Sequence, residues 1–115
     1  MAMQTTTRRD EVAAGADLLK ALATEVRLGV VAQLRTGPHC VHELQTALRR
    51  EGRDVSQPLL SHHLRVLRDA GLVTTTRRGA EITYELSDVH VGHLVSDALH
   101  LTRTQEERNH DHHAQ

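Results

Sequence analysis

The clearest pattern of hydrophobic and polar positions lies between residues 56 and 70. Leu60, Leu64 and Leu67 recur at i, i+4 and i+7, a spacing that places three leucines on the core-facing side of one α-helix. A serine N-cap precedes this helix, and Gly71 suits its C-terminal end. We call it the reader helix, because its other side carries polar side chains long enough to reach base edges and phosphates: Gln57, Ser61, His62, Arg65 and Arg68.

After Gly71 the period changes from that of a helix to that of a strand. Residues 72–76 are β-formers, and Arg77-Arg78-Gly79 is typical of a turn with two charges at its tip. A return strand follows, in which apolar residues alternate with polar neighbours: Ile82, Tyr84 and Leu86. These residues predict a basic β-hairpin directly after the reader helix.

A polar-faced helix followed by a basic hairpin is the order of parts in a winged helix-turn-helix. Each part alone has a simpler explanation, since most amphipathic helices only pack and most Arg-Arg-Gly turns are solvated loops. Together they indicate binding to double-stranded DNA. The residues expected to contact it are Ser56, Gln57, Ser61, His62, Arg65, Arg68, Arg77 and Arg78.

The remaining periodic segments predict a helical scaffold. Residues 10–23 carry Val12, Ala16 and Leu19 at helical spacing, and two further helices are expected over 26–34 and 41–50, the last being the positioning helix before the reader. The fold class is therefore mainly α with a small β-hairpin. We expect one domain over residues 10–104, a disordered segment over 1–9 and a flexible, histidine-rich tail over 105–115.

Composition indicates a small domain that is completed by pairing. The chain has 115 residues, 38% of them hydrophobic, with Tyr84 as its one aromatic residue. An aliphatic core of this size favours a homodimer. No apolar run reaches the ~20 residues of a membrane span, and residues 1–10 lack the apolar stretch of a secretory signal. We therefore expect a cytoplasmic protein without a membrane partner.

The formal charge of −1 argues against a protein that is basic over its whole surface. The charges are unevenly distributed, however, because acidic residues collect between 105 and 111 and offset the basic middle of the chain in the sum. The middle can thus present a positive face, built from the arginines at 49, 50, 53, 65, 68, 77 and 78.

A second pattern lies in the last predicted helix, which Ser87 or Asp88 can cap. His90, His93, Asp97 and His100 stand at offsets 0, 3, 7 and 10, so they form one line along a helical face, which we call the histidine stripe. In an antiparallel pair of such helices, the N-terminal end of one stripe would meet the C-terminal end of the other. Imidazoles and a carboxylate suit zinc first, with cobalt or nickel as alternatives. The simpler alternative is a solvated polar face.

Several short segments carry a family resemblance: LATEVRL at 22–28, CVHEL at 40–44, SQPLLSHHL at 56–64, GLV at 71–73, and RG at 78–79 followed by YEL at 84–86. They resemble the ArsR/SmtB family of metal-responsive repressors, in particular its zinc-sensing branch in actinobacteria. The resemblance covers residues 18 to about 101. It implies a homodimeric winged-helix repressor of five or six helices, which binds its operator when metal-free and leaves when metal binds.

The family's metal ligands match this chain only in part. The resemblance assigns Asp88 and His90 as ligands, but the other two family positions fall on Leu101 and Thr104. Either the stripe residues His93, Asp97 and His100 replace the missing ligands, or the tail supplies them, or the site has lost its metal. The tail histidines are His110, His112 and His113.

A second family site falls on Cys40 and His42, where a thiolate and an imidazole could bind a metal. The simpler alternative is that Cys40, the single cysteine, is a small side chain packed at a helix start.

Three other functions stay open at this stage. One is a winged-helix repressor that senses no metal and responds to Cys40 oxidation or is constitutively dimeric. Another is a protein-interaction module, and a third is a metal-dependent hydrolase. No residue near the histidine stripe is placed as a nucleophile or base, so we expect no enzyme and no small organic substrate.

Overall fold

The computed structural model describes the backbone of residues 2–114 and the side chains of residues 10–109. This part of the chain forms five helices and a small sheet, which confirms the predicted fold class. In chain order the elements are α1 (Ala2–Leu22), α2 (Glu25–Leu34), β1 (His39–Cys40), α3 (Val41–Arg50), α4 (Gln57–Asp69), β2 (Val73–Arg78), β3 (Glu81–Leu86) and α5 (Val89–Ala114).

The core lies where α2, α3 and α4 meet. The reader helix is α4, and its predicted stripe of Leu60, Leu64 and Leu67 is fully buried, at 0% exposure. Leu44 and Leu48 of α3 face the same core. The reader helix begins where predicted, because the Ser56 hydroxyl accepts a hydrogen bond from the Leu59 N–H at 3.3 Å and satisfies one of the free donors of the first turn.

The sheet has three antiparallel strands in the order β1-β3-β2. Strand β1 was not predicted, because two residues are too few to show a period; it pairs His39 with Tyr84 and Cys40 with Thr83. The predicted position of the hairpin turn was wrong. Arg77 and Arg78 are the last residues of β2, and the chain reverses through Gly79, whose φ of 63° lies in the left-handed region that glycine tolerates.

The helix predicted over residues 10–23 lies within α1, and its apolar residues are covered unevenly. Val12 and Leu19 are 71% and 53% exposed, whereas Ala21 and Leu22, at the end of the helix, are buried. The physical reason is that α1 meets α2 and α4 near its C-terminal end. Val12 and Leu19 therefore mark an apolar face that the side chains of residues 10–109 leave exposed.

Both terminal helices run past the expected domain limits. Helix α1 begins at Ala2 and α5 continues to Ala114, through the two ends that the sequence predicts to be disordered. The division of the chain at residues 9 and 104 stays a prediction. Within the described residues, no helix combines the length and the hydropathy that a membrane crossing requires.

Candidate DNA-binding surface and metal-binding face

The polar face of the reader helix is open to solvent. Gln57, His62, Arg65 and Arg68 are all exposed, and Ser61 is half-buried. Ser56 occupies the N-cap with its hydroxyl oxygen bound to the helix backbone, which leaves its O–H as a donor toward a phosphate. The structure thus places all six reader-helix candidates on or beside one accessible surface.

The two arginines of the hairpin point to opposite sides of it, because successive side chains alternate along a strand. Arg77 stands opposite Ile82 and shares its face with Tyr84, while Arg78 stands opposite Glu81 on the other face. The Ile82 and Tyr84 face lines a cleft together with Ser61 of the reader helix. Arg77 is therefore the hairpin charge on the reader-helix side.

The arginines of this surface carry charges that the other described side chains do not neutralise. Among the side chains of residues 10–109, no ion pair involves Arg65, Arg68, Arg77 or Arg78. Two other arginines differ: Arg49, in the last turn of α3, lies 3.5 Å from Asp54, and Arg53, in the loop that follows, contacts both Glu25 and Glu51. Four free guanidinium groups are thus available for phosphates and base edges.

Cys40 and His42 line one cleft of about 490 Å³ between the start of α3, the reader helix and β3. Cys40 is half-buried, and its N–H donates to Glu43 Oε1 at 2.9 Å. That hydrogen bond is the main reason that the pKa of Glu43 lies below its usual value. The structure brings the two candidates of the second site together but adds no third ligand to them within the described residues.

Asp88 and His90 form a hydrogen-bonded pair before and within the first turn of α5. Asp88 Oδ1 accepts from the backbone N–H of His90 at 2.8 Å and from its ring Nδ1 at 2.7 Å. The backbone hydrogen bond, followed by the ring contact, holds the pKa of Asp88 below its usual value. Because an ionised carboxylate can only accept, Nδ1 carries the proton, and a neutral His90 keeps its Nε2 lone pair for a metal.

The rest of the histidine stripe does not converge within one chain. The rings of His90 and His93 lie 5.9 Å apart, but ten residues of helix place His100 about 15 Å further along the axis. In the described part of the chain, no three histidine, cysteine or acidic side chains are close enough to share one metal ion. The side chains of His110, His112 and His113 lie outside the described residues. Within the described residues of one chain, the stripe therefore does not form a complete site.

Sequence reasoning assigned no role to Arg27 and His63, which lie 36 positions apart and meet in the structure. Arg27 Nη1 is 3.0 Å from His63 Nδ1. One signal was present in the sequence: His63 flanks the leucine stripe of the reader helix, so its ring had to pack beside the core. Its partner on α2 could not be predicted, because the contact depends on how the two helices cross.

A positioning helix, an open-faced reader helix and an adjoining antiparallel hairpin define a winged helix-turn-helix regulator. Residues 24–75 match the sequence profile described as bacterial regulatory protein, arsR family. The chain belongs to that family, whose members are transcriptional regulators and not enzymes.

Known proteins of similar sequence and structure are also transcriptional repressors. The HTH-type transcriptional repressor SmtB of Mycobacterium tuberculosis is 47% identical over 91 residues, which are 79% of this chain and 64% of that protein, so this chain spans somewhat less than two thirds of that relative's length. The crystal structure of the transcriptional repressor BigR from Xylella fastidiosa superposes with a TM-score of 0.69 at 34% identity, covering 88% of this chain and 95% of that one.

A further solved structure resembles this chain strongly in fold but less in sequence. It is the solution structure of a homodimeric winged helix-turn-helix DNA-binding domain from Mycobacterium bovis, described as a possible ArsR-family transcriptional regulator. The TM-score is 0.79 at 25% identity, covering 94% of this chain and 95% of that domain.

Proposed function

We propose that this protein is a homodimeric, sequence-specific DNA-binding repressor that leaves its operator when a divalent metal, zinc first, binds at the histidine stripe. The observation that carries the DNA-binding part is a set of four arginines on the reader helix and hairpin, none of which has an ion-pair partner among the side chains of residues 10–109. Arginines that are already unpaired lose no intramolecular partner when they bind phosphate, and their fork geometry suits both phosphates and guanine edges.

The dimer is supported by apolar side chains that the single chain leaves uncovered on its terminal helices. Leu94, Leu99 and Leu101 of α5 are 40%, 38% and 59% exposed, and Val12 and Leu19 of α1 are exposed as well. The homodimeric domain from Mycobacterium bovis shares the fold over most of the chain. Pairing through α1 and α5 would cover these residues and set the distance between the two reader helices.

The metal-binding part is supported by the donor set at the start of α5. The Asp88 carboxylate and the His90 imidazole are exposed and already oriented by their mutual hydrogen bond. In an antiparallel pair of α5 helices, they would meet Asp97 or His100 of the second copy, and His93 lies beside them. Carboxylate and imidazole donors suit a tetrahedral zinc ion, and the same set accepts cobalt or nickel.

Metal binding would act on DNA through the geometry of the dimer. Helix α5 follows the hairpin directly, and it packs closely on the hairpin's last residue: a Cβ added at Gly92 would lie 3.2 Å from Leu86 Cδ1. A change in how the two α5 helices pair would therefore move the hairpins and reader helices relative to successive major grooves. A coupling of about 1 to 3 kcal/mol is typical of such linkage.

Charge-removal variants test the DNA-binding part. Arg65→Ala should weaken binding to a fragment of the chain's own promoter by about tenfold or more. Arg77→Ala should lower the slope of log affinity against log salt concentration by about 1, since one phosphate contact is lost. The matched control is Arg103→Ala, which removes the same charge from α5. If Arg103→Ala changes DNA affinity and its salt dependence as much as the other two variants do, the assigned DNA-binding surface is wrong.

Isothermal titration with zinc tests the metal-binding part. His90→Gln should lower zinc affinity by about tenfold to 100-fold, while His42→Gln should leave the strongest site unchanged. Because imidazoles must be neutral to bind metal, zinc affinity should fall between about pH 7.5 and about pH 6. An affinity that is the same at both pH values would exclude histidine ligands.

A second candidate is a repressor of the same fold that responds to oxidation of Cys40 in place of metal. The observation that favours it is the shared cleft, which places Cys40 beside Ser61 of the reader helix. Under this alternative, peroxide lowers the DNA affinity of the unmodified protein but not that of Cys40→Ser, and zinc has no effect on either.

A further inference from the structure

Arg27 connects three helices through one side chain. Its backbone N–H donates to the Thr24 hydroxyl at the N-cap of α2, 3.1 Å away. Its Nε donates to the Ala21 carbonyl in the last turn of α1 at 2.6 Å, and its Nη1 is 3.0 Å from His63 Nδ1 on the reader helix. The guanidinium group thus lies between the end of α1 and the reader helix.

The chemistry of the two side chains fixes the direction of the contact between them. A guanidinium group has donors only, so His63 Nδ1 must accept, and its ring is neutral with the proton on Nε2. The Ala21 carbonyl belongs to the last turn of α1, where carbonyls lack partners within the helix, so Arg27 also caps that helix end. A lysine cannot replace it, since a single ammonium group does not present this planar fork.

We propose that Arg27 is a positioning residue for DNA binding, which holds the reader helix at a fixed angle to α1 by bonding His63 and the Ala21 carbonyl at once. This inference rests on the proposed function. Helix α1 carries the exposed Val12 and Leu19 of the proposed pairing surface. The angle between α1 and the reader helix therefore determines where the two reader helices of a dimer stand relative to each other.

The ionisation of His63 provides a readout that simple packing would not. Burial, followed by the nearby charges of Arg27 on α2 and His62 on the reader helix, lowers the pKa of His63. A protonated His63 has no acceptor for Arg27 and repels it. The folded state therefore binds fewer protons at His63 than the unfolded state does. The contact stays intact until the pH falls through the lowered pKa of the folded state, which lies below the ordinary value of about 6.5.

The experiment measures promoter-fragment affinity by fluorescence anisotropy, with dimer mass and thermal unfolding recorded for every variant. We expect Arg27→Gln, Arg27→Lys and His63→Leu each to lower DNA affinity by about tenfold, a loss equal to about 1.4 kcal/mol. His63→Asn should retain most of the affinity, because its amide oxygen lies near the position of Nδ1. The salt slope should stay that of the unmodified protein, since Arg27 touches no phosphate. The double variant Arg27→Gln, His63→Leu should lose no more than either single variant.

The pH series separates His63 from the other histidines. Protonation of the exposed His62 would favour DNA, so the quantity to compare is the difference between the unmodified protein and His63→Asn. That difference in affinity should grow as the pH falls through the lowered pKa of His63, below its ordinary value of about 6.5. The charge-matched control is Arg35→Gln on the exposed end of α2.

Three outcomes would overturn the inference. The first is folded, dimeric Arg27 variants that bind DNA like the unmodified protein, and the second is an affinity loss shared by Arg35→Gln. The third is a lowered salt slope, which would make Arg27 a direct phosphate contact. Absence of DNA binding by the unmodified protein at any salt concentration would instead overturn the proposed function itself, leaving Arg27 nothing to position.

Discussion

The reader helix α4 and the terminal helix α5 bury their apolar sides to different extents. In α4 the stripe of Leu60, Leu64 and Leu67 is completely covered by the rest of the chain. In α5 Val91 and Val95 are buried, while Leu94 and Leu101, which share a face seven residues apart, are 40% and 59% exposed. The reader helix is therefore covered by its own chain, whereas α5 leaves apolar side chains exposed within the described residues.

This difference divides the molecule by function. A surface that must recognise DNA needs a rigid support, which α2 and α3 supply under the reader helix. A surface that must respond to a ligand benefits from contacts that depend on a second copy, because such contacts can be rearranged without unfolding the domain. The predictions below test whether this division is real.

The largest effect is expected from Leu64→Ala in the reader helix. Removing a side chain that is 0% exposed leaves a cavity in the core and should lower the free energy of unfolding by about 2 to 5 kcal/mol. Chemical denaturation at fixed protein concentration measures it. Leu94→Ala is the matched control on α5. If both variants lose the same free energy of unfolding at protein concentrations too low for pairing, the two helices do not differ in how their own chain covers them.

A smaller effect is expected from adding a methyl group at Gly29 of α2. A Cβ there would lie 2.8 Å from Leu48 Cδ2, inside the core under the reader helix, so Gly29→Ala should cost about 1 to 3 kcal/mol. Gly92→Ala in α5 is the counterpart. Its nearest neighbour, at 2.9 Å, is Arg35 Cγ, which belongs to a flexible exposed side chain, so thermal unfolding should show a smaller loss.

A next, smaller effect concerns pairing. Leu101→Gln places an amide on the exposed apolar face of α5 and should weaken the dimer by about tenfold, as sedimentation equilibrium would show. Arg103→Gln, on a different side of the same helix, is the control and should leave the dimer unchanged. If both variants pair like the unmodified protein, the exposed leucines of α5 are not the interface.

The smallest effect distinguishes the starts of the two helices by pH. The reader helix is capped by the neutral Ser56, whereas α5 follows Asp88, whose pKa is lowered by the His90 backbone hydrogen bond and then by its ring. Because the pKa of this carboxyl is lower in the folded state, its ionisation stabilises the folded state at pH values above the ordinary carboxyl pKa of about 3.9. That stabilisation is lost as the pH falls through the lower pKa of the folded state. The thermal unfolding temperature of Asp88→Asn should therefore fall less than that of the unmodified protein when the pH is lowered from about 5 to about 3. If the unfolding temperatures of the two proteins fall in parallel with pH, the Asp88 carboxylate does not stabilise the folded state.

Regular patterns in the sequence predicted the regular parts of the fold. The positioning helix was predicted over residues 41–50 and spans Val41–Arg50, and the reader helix lies within the predicted 56–70 with Ser56 as its cap. Periodicity locates a helix and its apolar side. It does not say whether that side faces its own chain or a partner, so the spacing of Val12 and Leu19 located a helix without showing what covers these two residues.

Contacts between distant segments could not be predicted in this way. Strand β1 is too short to show alternation, and the hydrogen bond from Arg27 to His63 depends on the crossing of two helices. The Asp88 to His90 hydrogen bond is local, within two residues, and the sequence could place both residues at the start of the last helix. The described residues of one chain bring no complete set of metal ligands together, and one sequence cannot position the ligands of a second copy.

The central claim is that the state of the α5 pair controls DNA binding by the reader helix. The most direct test is the affinity for a fragment of the chain's own promoter, measured by anisotropy with and without zinc for the unmodified protein and for His90→Gln. The account predicts specific binding by both proteins without zinc, and a loss of about tenfold or more on adding zinc to the unmodified protein alone. Zinc that leaves the unmodified protein's affinity unchanged, or that weakens both proteins equally, would contradict it.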